Sequence, residues 1–328
     1  MRILVTGGAG YIGSVVTDHL LRAGYTVTVL DNLIMGWREA VPAQAEFVQA
    51  DMGDETALDQ LFSSHGFDAV MHFAALIEAG ESVKHPEQYF DNNSARTLTL
   101  LRAMLKHQVS RFVFSSTAAV YGEPQIVPIV EEHPLFPTNA YGESKLIVER
   151  MLRWFHSAHG LRYASLRYFN AAGATPIRGE AHRSESHLIP IILQVPLGQR
   201  EDFTIFGADY PTHDGTCIRD FIHVDDLATA HLLALNGLET HETLICNLGS
   251  GTGFSVREIV AIARKVTGHA IPVIGSPRRP GDPAVLVASP EKIRRVLGWN
   301  PQHSDVESIV ATAWEWHKAH PHGYRTAP

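Results

Sequence analysis

Ile3-Leu4-Val5-Thr6-Gly7-Gly8-Ala9-Gly10-Tyr11-Ile12-Gly13 is the stretch from which the rest of the chain can be read. Residues 2–6 are aliphatic and β-branched, end in glycine, and read as a buried strand. The spacing Gly7-x-x-Gly10-x-x-Gly13 then forms a turn, and residues 12–23 carry helical periodicity that stops at Gly24. Working outward, Thr26 to Leu30 reads as a second buried strand, followed by strands at 47–49, 69–73, 111–115 and 163–168. Helical stretches near 55–65, 92–108 and 141–158 separate them. Strands alternating with helices imply parallel βαβ units, hence a doubly wound parallel α/β sheet of the Rossmann type. After about residue 170 turn residues thicken, from Gly173 and Pro176 to Pro211 and Gly215, and the rhythm weakens. The expected organisation is a Rossmann domain over 1–170 with a returning segment near 223–250, and a smaller, partly interleaved α/β lobe over 171–328.

Each glycine of the first turn has a physical task. Gly7 permits the tight turn out of the strand, Gly10 lets the backbone approach a pyrophosphate, and Gly13 lets the helix pack closely. The helix N-terminus offers free N–H groups to the phosphates. Asp31 ends the second strand, where a carboxylate accepts hydrogen bonds from ribose hydroxyls and repels a 2′-phosphate. These features point to NAD rather than NADP. Asp51-Met52, after the third strand, stands where a polar group meets an adenine edge.

Tyr141 and Lys145, in Pro137-Thr138-Asn139-Ala140-Tyr141-Gly142-Glu143-Ser144-Lys145, share one face of a helix. An ammonium beside a phenol favours the phenolate, which then serves as a base for a sugar hydroxyl. Thr117, in Phe114-Ser115-Ser116-Thr117-Ala118-Ala119-Val120-Tyr121-Gly122, lies at the end of a strand, where ligands of open α/β sheets sit, and could bind or shuttle the substrate proton.

Composition sets outer limits. The chain has 328 residues, 45% hydrophobic and 19% charged, with a net charge of −8. That charge argues against nucleic acid as a partner. No apolar run approaches the roughly 20 residues of a membrane span. Cys217 and Cys246 have no metal or redox spacing and fit idle thiols in a reducing cytoplasm. Among 19 histidines, none forms a His-x-x-x-His pair with a carboxylate in a zinc-protease pattern, and His317, His320 and His322 read as a solvated tail. No metal is expected.

Taken together, the glycine loop, Ser115-Ser116-Thr117 and Tyr141-x-x-x-Lys145 resemble the extended short-chain dehydrogenase/reductase family, and more narrowly its UDP-sugar 4-epimerases. Supporting stretches include Phe73-Ala74-Ala75, Gly80-Glu81-Ser82-Val83, Asp91-Asn92-Asn93, Arg167-Tyr168-Phe169-Asn170, Ile205-Phe206-Gly207, Arg219-Asp220-Phe221-Ile222-His223-Val224 and Arg278-Arg279-Pro280-Gly281-Asp282. The resemblance implies that Gly7, Gly10, Tyr11, Ile12, Gly13, Asp31, Asn32, Asp51, Met52, Phe73, Ala74, Ala75, Asn93, Ser115, Tyr141, Lys145 and Tyr168 line NAD. It implies that Thr117, Tyr141, Asn170, His187, Leu188, Thr204, Phe206, Arg219, Arg279 and Asp282 hold the UDP-sugar, with Tyr141, Lys145 and Thr117 catalytic. Arg219 and Arg279 suit a diphosphate, because guanidinium binds phosphate oxygens in pairs. The implied activity is NAD-dependent inversion at C4 through a transient 4-keto sugar, in a homodimer joined through helices near 92–108 and 141–158.

This chain departs from the family pattern in three places. Leu76-Ile77-Glu78 lacks a lysine that relatives carry near the cofactor diphosphate, and His187 stands where some have Asn. Leu286 occupies a position linked to acceptance of N-acetylated sugars, and its intermediate size favours glucose and galactose. Ala118-Ala119 cannot move protons, which argues against a 4,6-dehydratase, whose members place Asp-Glu there. A 4-epimerase of UDP-glucuronate, a UDP-pentose or a UDP-N-acetylhexosamine, and a non-catalytic NAD-sensing protein, remain as alternatives.

Overall fold

The computed structural model describes residues 1–279, 282–303 and 305–325. Its strands are β1 Arg2–Thr6, β2 Thr26–Asp31, β3 Glu46–Gln49, β4 Ala69–His72, β5 Arg111–Thr117, β6 Arg162–Tyr168, β7 Asn170–Ala172, β8 Phe203–Phe206, β9 Ile218–His223, β10 Thr243–Leu248, β11 Gly253–Ser255, β12 Val273–Ser276 and β13 Val285–Leu286. Its α-helices are α1 Tyr11–Arg22, α2 Glu55–His65, α3 Ala79–Ser82, α4 Pro86–Tyr89, α5 Arg96–Lys106, α6 Ala140–His159, α7 Leu188–Leu193, α8 Val224–Gly237, α9 Val256–Thr267, α10 Glu291–Leu297 and α11 Val306–Ala319.

Seven parallel strands form the main sheet in the order β10-β6-β5-β4-β1-β2-β3. Side-chain alternation along the strands divides the core in two. Ile3, Val5, Ala69, Met71, Ala164 and Leu166 point to the face covered by α1 and α8. Leu4, Val70, Phe112, Phe114 and Tyr163 point to the face covered by α2, α5 and α6. Strand order reverses between β1 and β4, so a crevice opens at their carboxyl ends. Beyond β6 the chain builds a smaller group of strands, in which β9 pairs with β7, β11 and β13, and β8 pairs with β12. These rest on a third core shared by α7, α9 and α11.

Two expectations change. The helix predicted near 92–108 is interrupted: Phe90–Ala95 is a π-helical turn that leads into α5. Within it Asn93 is buried and turned inward, its amide bonded to both the N–H and the C=O of Leu76. Such turns mark places where one side chain is re-aimed at a helix's expense. Of the histidines read as a solvated tail, His317 and His320 are instead packed, while His322 is exposed. His317 is half-buried on α11, and His320 stacks on Trp316 at 4.9 Å. The apolar residues Val306, Ile309, Val310, Ala313, Trp314 and Trp316 give α11 a buried stripe that carries those polar neighbours with it.

One buried charge pair lies under the site. Arg167, on β6, grips Glu149, on α6, through Nη2–Oε2 at 2.6 Å and Nε–Oε1 at 3.0 Å, and both side chains are almost fully enclosed. Removing one partner of such a pair strands the other charge in low dielectric. Arg167→Met is therefore expected to lower the unfolding free energy by about 3–5 kcal/mol. Urea denaturation checks this, and a loss below roughly 1 kcal/mol would contradict it.

Candidate active site

The loop after β1 is shaped for close approach. Gly7 has φ +75°, and a Cβ there would lie 2.4 Å from the Ala74 nitrogen, so no other residue fits without moving the end of β4. A Cβ on Gly13 would lie 2.3 Å from the Gly7 carbonyl, whereas one on Gly10 would meet nothing nearer than 3.3 Å. Gly7 and Gly13 thus serve internal packing, and Gly10 keeps an open side. No side chain caps the N-terminus of α1, which leaves its first N–H groups to an anion. Asp31 braces the loop, accepting from Ala9 N at 3.0 Å and Leu33 N at 2.9 Å. Burial raises its carboxyl above the ordinary value against these bonds. Asn32 donates to Asp51 at 2.9 Å, and Arg96 pairs with the same carboxylate at 2.6 Å beside a cavity of about 450 Å³.

Several residues expected along the cofactor have their side chains engaged elsewhere. Tyr11 donates its hydroxyl to the Gly173 carbonyl at 2.6 Å, so only its backbone faces the loop's ligand side. Ile12 packs against the core on the α1 side, and Met52 lies in the core on the α2 side. Asn93 spends its amide on Leu76 and on Ser144 Oγ, at 3.0 Å, and ties the 74–78 segment to α6. Phe73 and Ala74 pass directly over Gly7, and Ala75 follows them half-buried.

Opposite the loop, α6 lies along the end of β5. Gly142 makes this possible, because a Cβ there would sit 2.6 Å from the Ala119 carbonyl. Lys145 is buried and donates Nζ to the Ser115 carbonyl at 2.8 Å, over the Phe114 ring at 4.9 Å. One helical turn on, Glu149 accepts from Ser116 Oγ at 2.6 Å. One turn back stands Tyr141. Burial pushes its phenol above the ordinary value, and a hydrogen bond from Thr117 pulls the other way. Thr117 also accepts from Ala119 N at 3.1 Å. Tyr141, Lys145 and Glu149 thus meet Thr117, Ser115 and Ser116 along one helix face. The expected lowering of the phenol by Lys145 is not seen here: burial raises the phenol and pulls Lys145 itself down to about 7, with its Nζ directed at the Ser115 carbonyl.

Tyr168 ends β6 and donates its hydroxyl to His231 Nε2 at 2.7 Å. His231 Nδ1 donates to the Leu227 carbonyl at 2.8 Å, which leaves Nε2 to accept from Tyr168, and burial keeps the ring neutral, its pKa pulled to about 4. Phe73 lies on the same imidazole at 4.9 Å. His231, Glu149 and Gly142 were not singled out from the sequence. The signal for His231 was a lone histidine inside the apolar run Leu227 to Leu235.

In the smaller lobe, Thr204 and Phe206 alternate outward from β8 while Phe203 and Ile205 enter the core. Arg279 lies over the Phe206 ring at 3.9 Å. Arg219 pairs with Asp282 at 3.1 Å and donates to the Pro283 carbonyl at 2.9 Å. Pro280 and Gly281 of the quoted stretch lie outside the described residues. Asn170 Nδ2 donates to the Asp220 carbonyl at 2.8 Å. The buried Asp220 carboxylate gathers Ser250 N at 2.7 Å, Gly251 N at 3.0 Å and Ala288 N at 3.1 Å, and so holds this wall together. Leu188 opens α7. His187, before it, is taken up by Glu180 at 2.9 Å and Glu185 at 3.1 Å.

Fold and site therefore define a dinucleotide-type crevice faced by a tyrosine, a lysine and a threonine. The profile of the NAD dependent epimerase/dehydratase family matches residues 3–249, and the chain belongs to that family. It is 55% identical to the UDP-glucose 4-epimerase of Halalkalibacterium halodurans over 99% of this chain and 98% of that one. Identity to the UDP-glucose 4-epimerase of Streptomyces lividans is also 55%, over 98% of each chain. The crystal structure of UDP-glucose 4-epimerase from Bifidobacterium longum in complex with NAD+ and UDP superposes with a TM-score of 0.95, at 37% identity, covering 99% of this chain and 100% of that one.

Lys145 gives a pH-dependent expectation. Its folded value, about 7, lies below the ordinary 10.5, so between those values the unfolded chain binds the proton more readily and stability rises with pH. The penalty is complete below about 7 and gone near 10.5. Lys145→Met is expected to stabilise the cofactor-free chain most at pH 6–7, with the gain shrinking toward pH 10. Thermal melts across that range check this, and a gain that grows with pH would contradict it.

Proposed function

We propose that this protein interconverts UDP-glucose and UDP-galactose by inverting C4, with NAD as its resident cofactor. The observation that carries the reading is the Thr117–Tyr141–Lys145 group across the crevice from the glycine loop, followed by Ala118-Ala119 with no further acid or base. The relatives' names and the NAD+ and UDP of the Bifidobacterium longum structure support it. The open side of Gly10, the uncapped α1 and the buried Asp31 carboxylate fit a dinucleotide diphosphate and its ribose. Residues 1–170 with the segment 223–250 would hold NAD, and the rest mainly the UDP-sugar.

NAD, when bound, takes a hydride from C4 and returns it to the opposite face of the 4-keto sugar. The chain's own residues do the rest. Tyr141 accepts the proton of the 4-hydroxyl and gives it back, and Thr117 orients that hydroxyl. Lys145, held on the Ser115 carbonyl one helical turn from Tyr141, places its ammonium form beside the phenol once NAD and substrate fill the crevice. Phe206 offers a face to the uracil, while Arg219 and Arg279 hold the diphosphate as the pivot about which the sugar turns. Arg219 exchanges its bond to Asp282 for phosphate oxygens. Leu286, packed with Phe169 against Val120, Tyr121, Ile129 and Leu146, supports glucose and galactose over N-acetylated sugars.

Tyr141→Phe is expected to lower kcat by about 10²–10⁴-fold while UDP binding is unchanged. A coupled assay on UDP-galactose checks the first and calorimetry with UDP the second. Near-native turnover would sink the assignment. A panel of UDP-glucuronate, UDP-pentose and UDP-N-acetylhexosamine should show lower kcat/KM than UDP-galactose.

We propose further that the protein works in the cytoplasm as a homodimer paired through α5 and α6. Buried, unpaired Cys217 and Cys246 support a reducing compartment. No described helix is long and apolar enough to cross a membrane. Trp154 on α6 is 67% exposed and Leu98 on α5 is 37% exposed, an apolar surface that a second copy would cover. Trp154→Asp is expected to shift the sedimentation coefficient to that of a monomer. A wild-type monomer would contradict the pairing.

A further inference from the structure

Glu180, His182 and His187 bring one carboxylate oxygen and two imidazole nitrogens within 4.8 Å of one another. Glu180 Oε1 lies 3.2 Å from His182 Nε2 and 2.9 Å from His187 Nδ1. Four-coordinate Zn²⁺ binds N and O donors at about 2.0–2.2 Å, which sets those donors about 3.3–3.5 Å apart. The carboxylate-to-imidazole separations therefore need only a few tenths of an ångström to accept the ion.

The charge balance points the same way. The Glu180 side chain is 5% exposed and that of Glu185 10%, and Glu185 lies 3.1 Å from the same His187 nitrogen. Among the described residues no lysine or arginine pairs with either carboxylate. Buried carboxylates are paired with fixed cations or coordinate metals, and imidazole is a better ligand than fixed cation. A cavity of about 190 Å³ beside the cluster, lined also by His317 and His322, leaves room for a metal-bound water. Two imidazoles disfavour calcium and magnesium, which prefer oxygen donors throughout. The spacing Glu180-x-His182-x-x-x-x-His187 matches no zinc-protease pattern, so spacing alone carries no metal signal here.

We propose that Glu180, His182 and His187 form a zinc site whose fourth position opens to this cavity. The ion pins the 179–187 segment to the start of α7. It also sits beside the glycine loop, since Tyr11 packs edge-on to His182 at 6.5 Å. The other cluster, His223, Asp225 and His303, is a built-in control. His223 already bonds Thr312 and the Asp225 N–H, and Asp225 bonds His19 at 2.8 Å, so its donors are committed.

The test uses chelator-treated, NAD-bound protein titrated with Zn²⁺ by calorimetry and with Co²⁺ by visible absorption. One ion per chain is expected, with the d–d bands of a four-coordinate site and a rise in Tm on adding zinc. His182→Ala should weaken zinc binding about tenfold or more and remove the bands. Glu180→Gln should do the same, and His182→Ala alone carries the test where Glu180→Gln fails to fold. His303→Ala should leave both readouts intact. Absence of stoichiometric binding, binding that survives His182→Ala, or binding lost in His303→Ala would each overturn the site.

Discussion

The Glu149 carboxylate, enclosed between Ser116 and Arg167, fixes how α6 lies on the end of β5. Because Glu149, Lys145 and Tyr141 are spaced four apart, the anchor at one end sets the position of the phenol at the other. Arg167 extends the anchor to Tyr121 at 2.9 Å, and Tyr121 passes it to Asn247 on β10 at 2.7 Å. Three strands and one helix are thus joined through groups that cannot be released to water singly. The cost of burying this charge is met by complete pairing, and the return is a fixed distance between Tyr141 and Thr117.

Burial also sets the electrostatics of the reacting group. Burial pushes the Tyr141 phenol up and pulls the Lys145 ammonium down to about 7, so both groups are shifted toward their neutral forms. The second lobe likewise holds its charged side chains in place. Arg219 is held on Asp282 and Arg279 lies over Phe206, so both guanidinium groups are ordered in this structure.

Much of this was legible in the sequence, and the parts that were share a cause. Strands β1 to β6 announce themselves by local runs, and Gly7, Gly10, Gly13 and Asp31 by local spacing. The Tyr141–Lys145 pair is readable because a helix converts spacing into adjacency. What was not legible depends on contacts across the chain. The Tyr168 hydroxyl meets His231, 63 residues away, a contact no local spacing announces. Asn93 turns inward because a π-helical turn, which has no local signature, re-aims it. Gly142 was one glycine among 26 until Ala119 was seen against it. Strands β7, β11 and β13 carry too few residues for periodicity to register, and β9, as long as β2, is interrupted by Arg219 and Asp220.

The central claim is that hydride leaves and returns to the same carbon without leaving the protein. Incubating the protein with UDP-galactose carrying deuterium at C4, and following the product by mass spectrometry and NADH by absorbance, tests this most directly. The account predicts UDP-glucose that retains deuterium at C4 with no free NADH accumulating. Loss of the label to solvent, or NADH released in step with product, would contradict it.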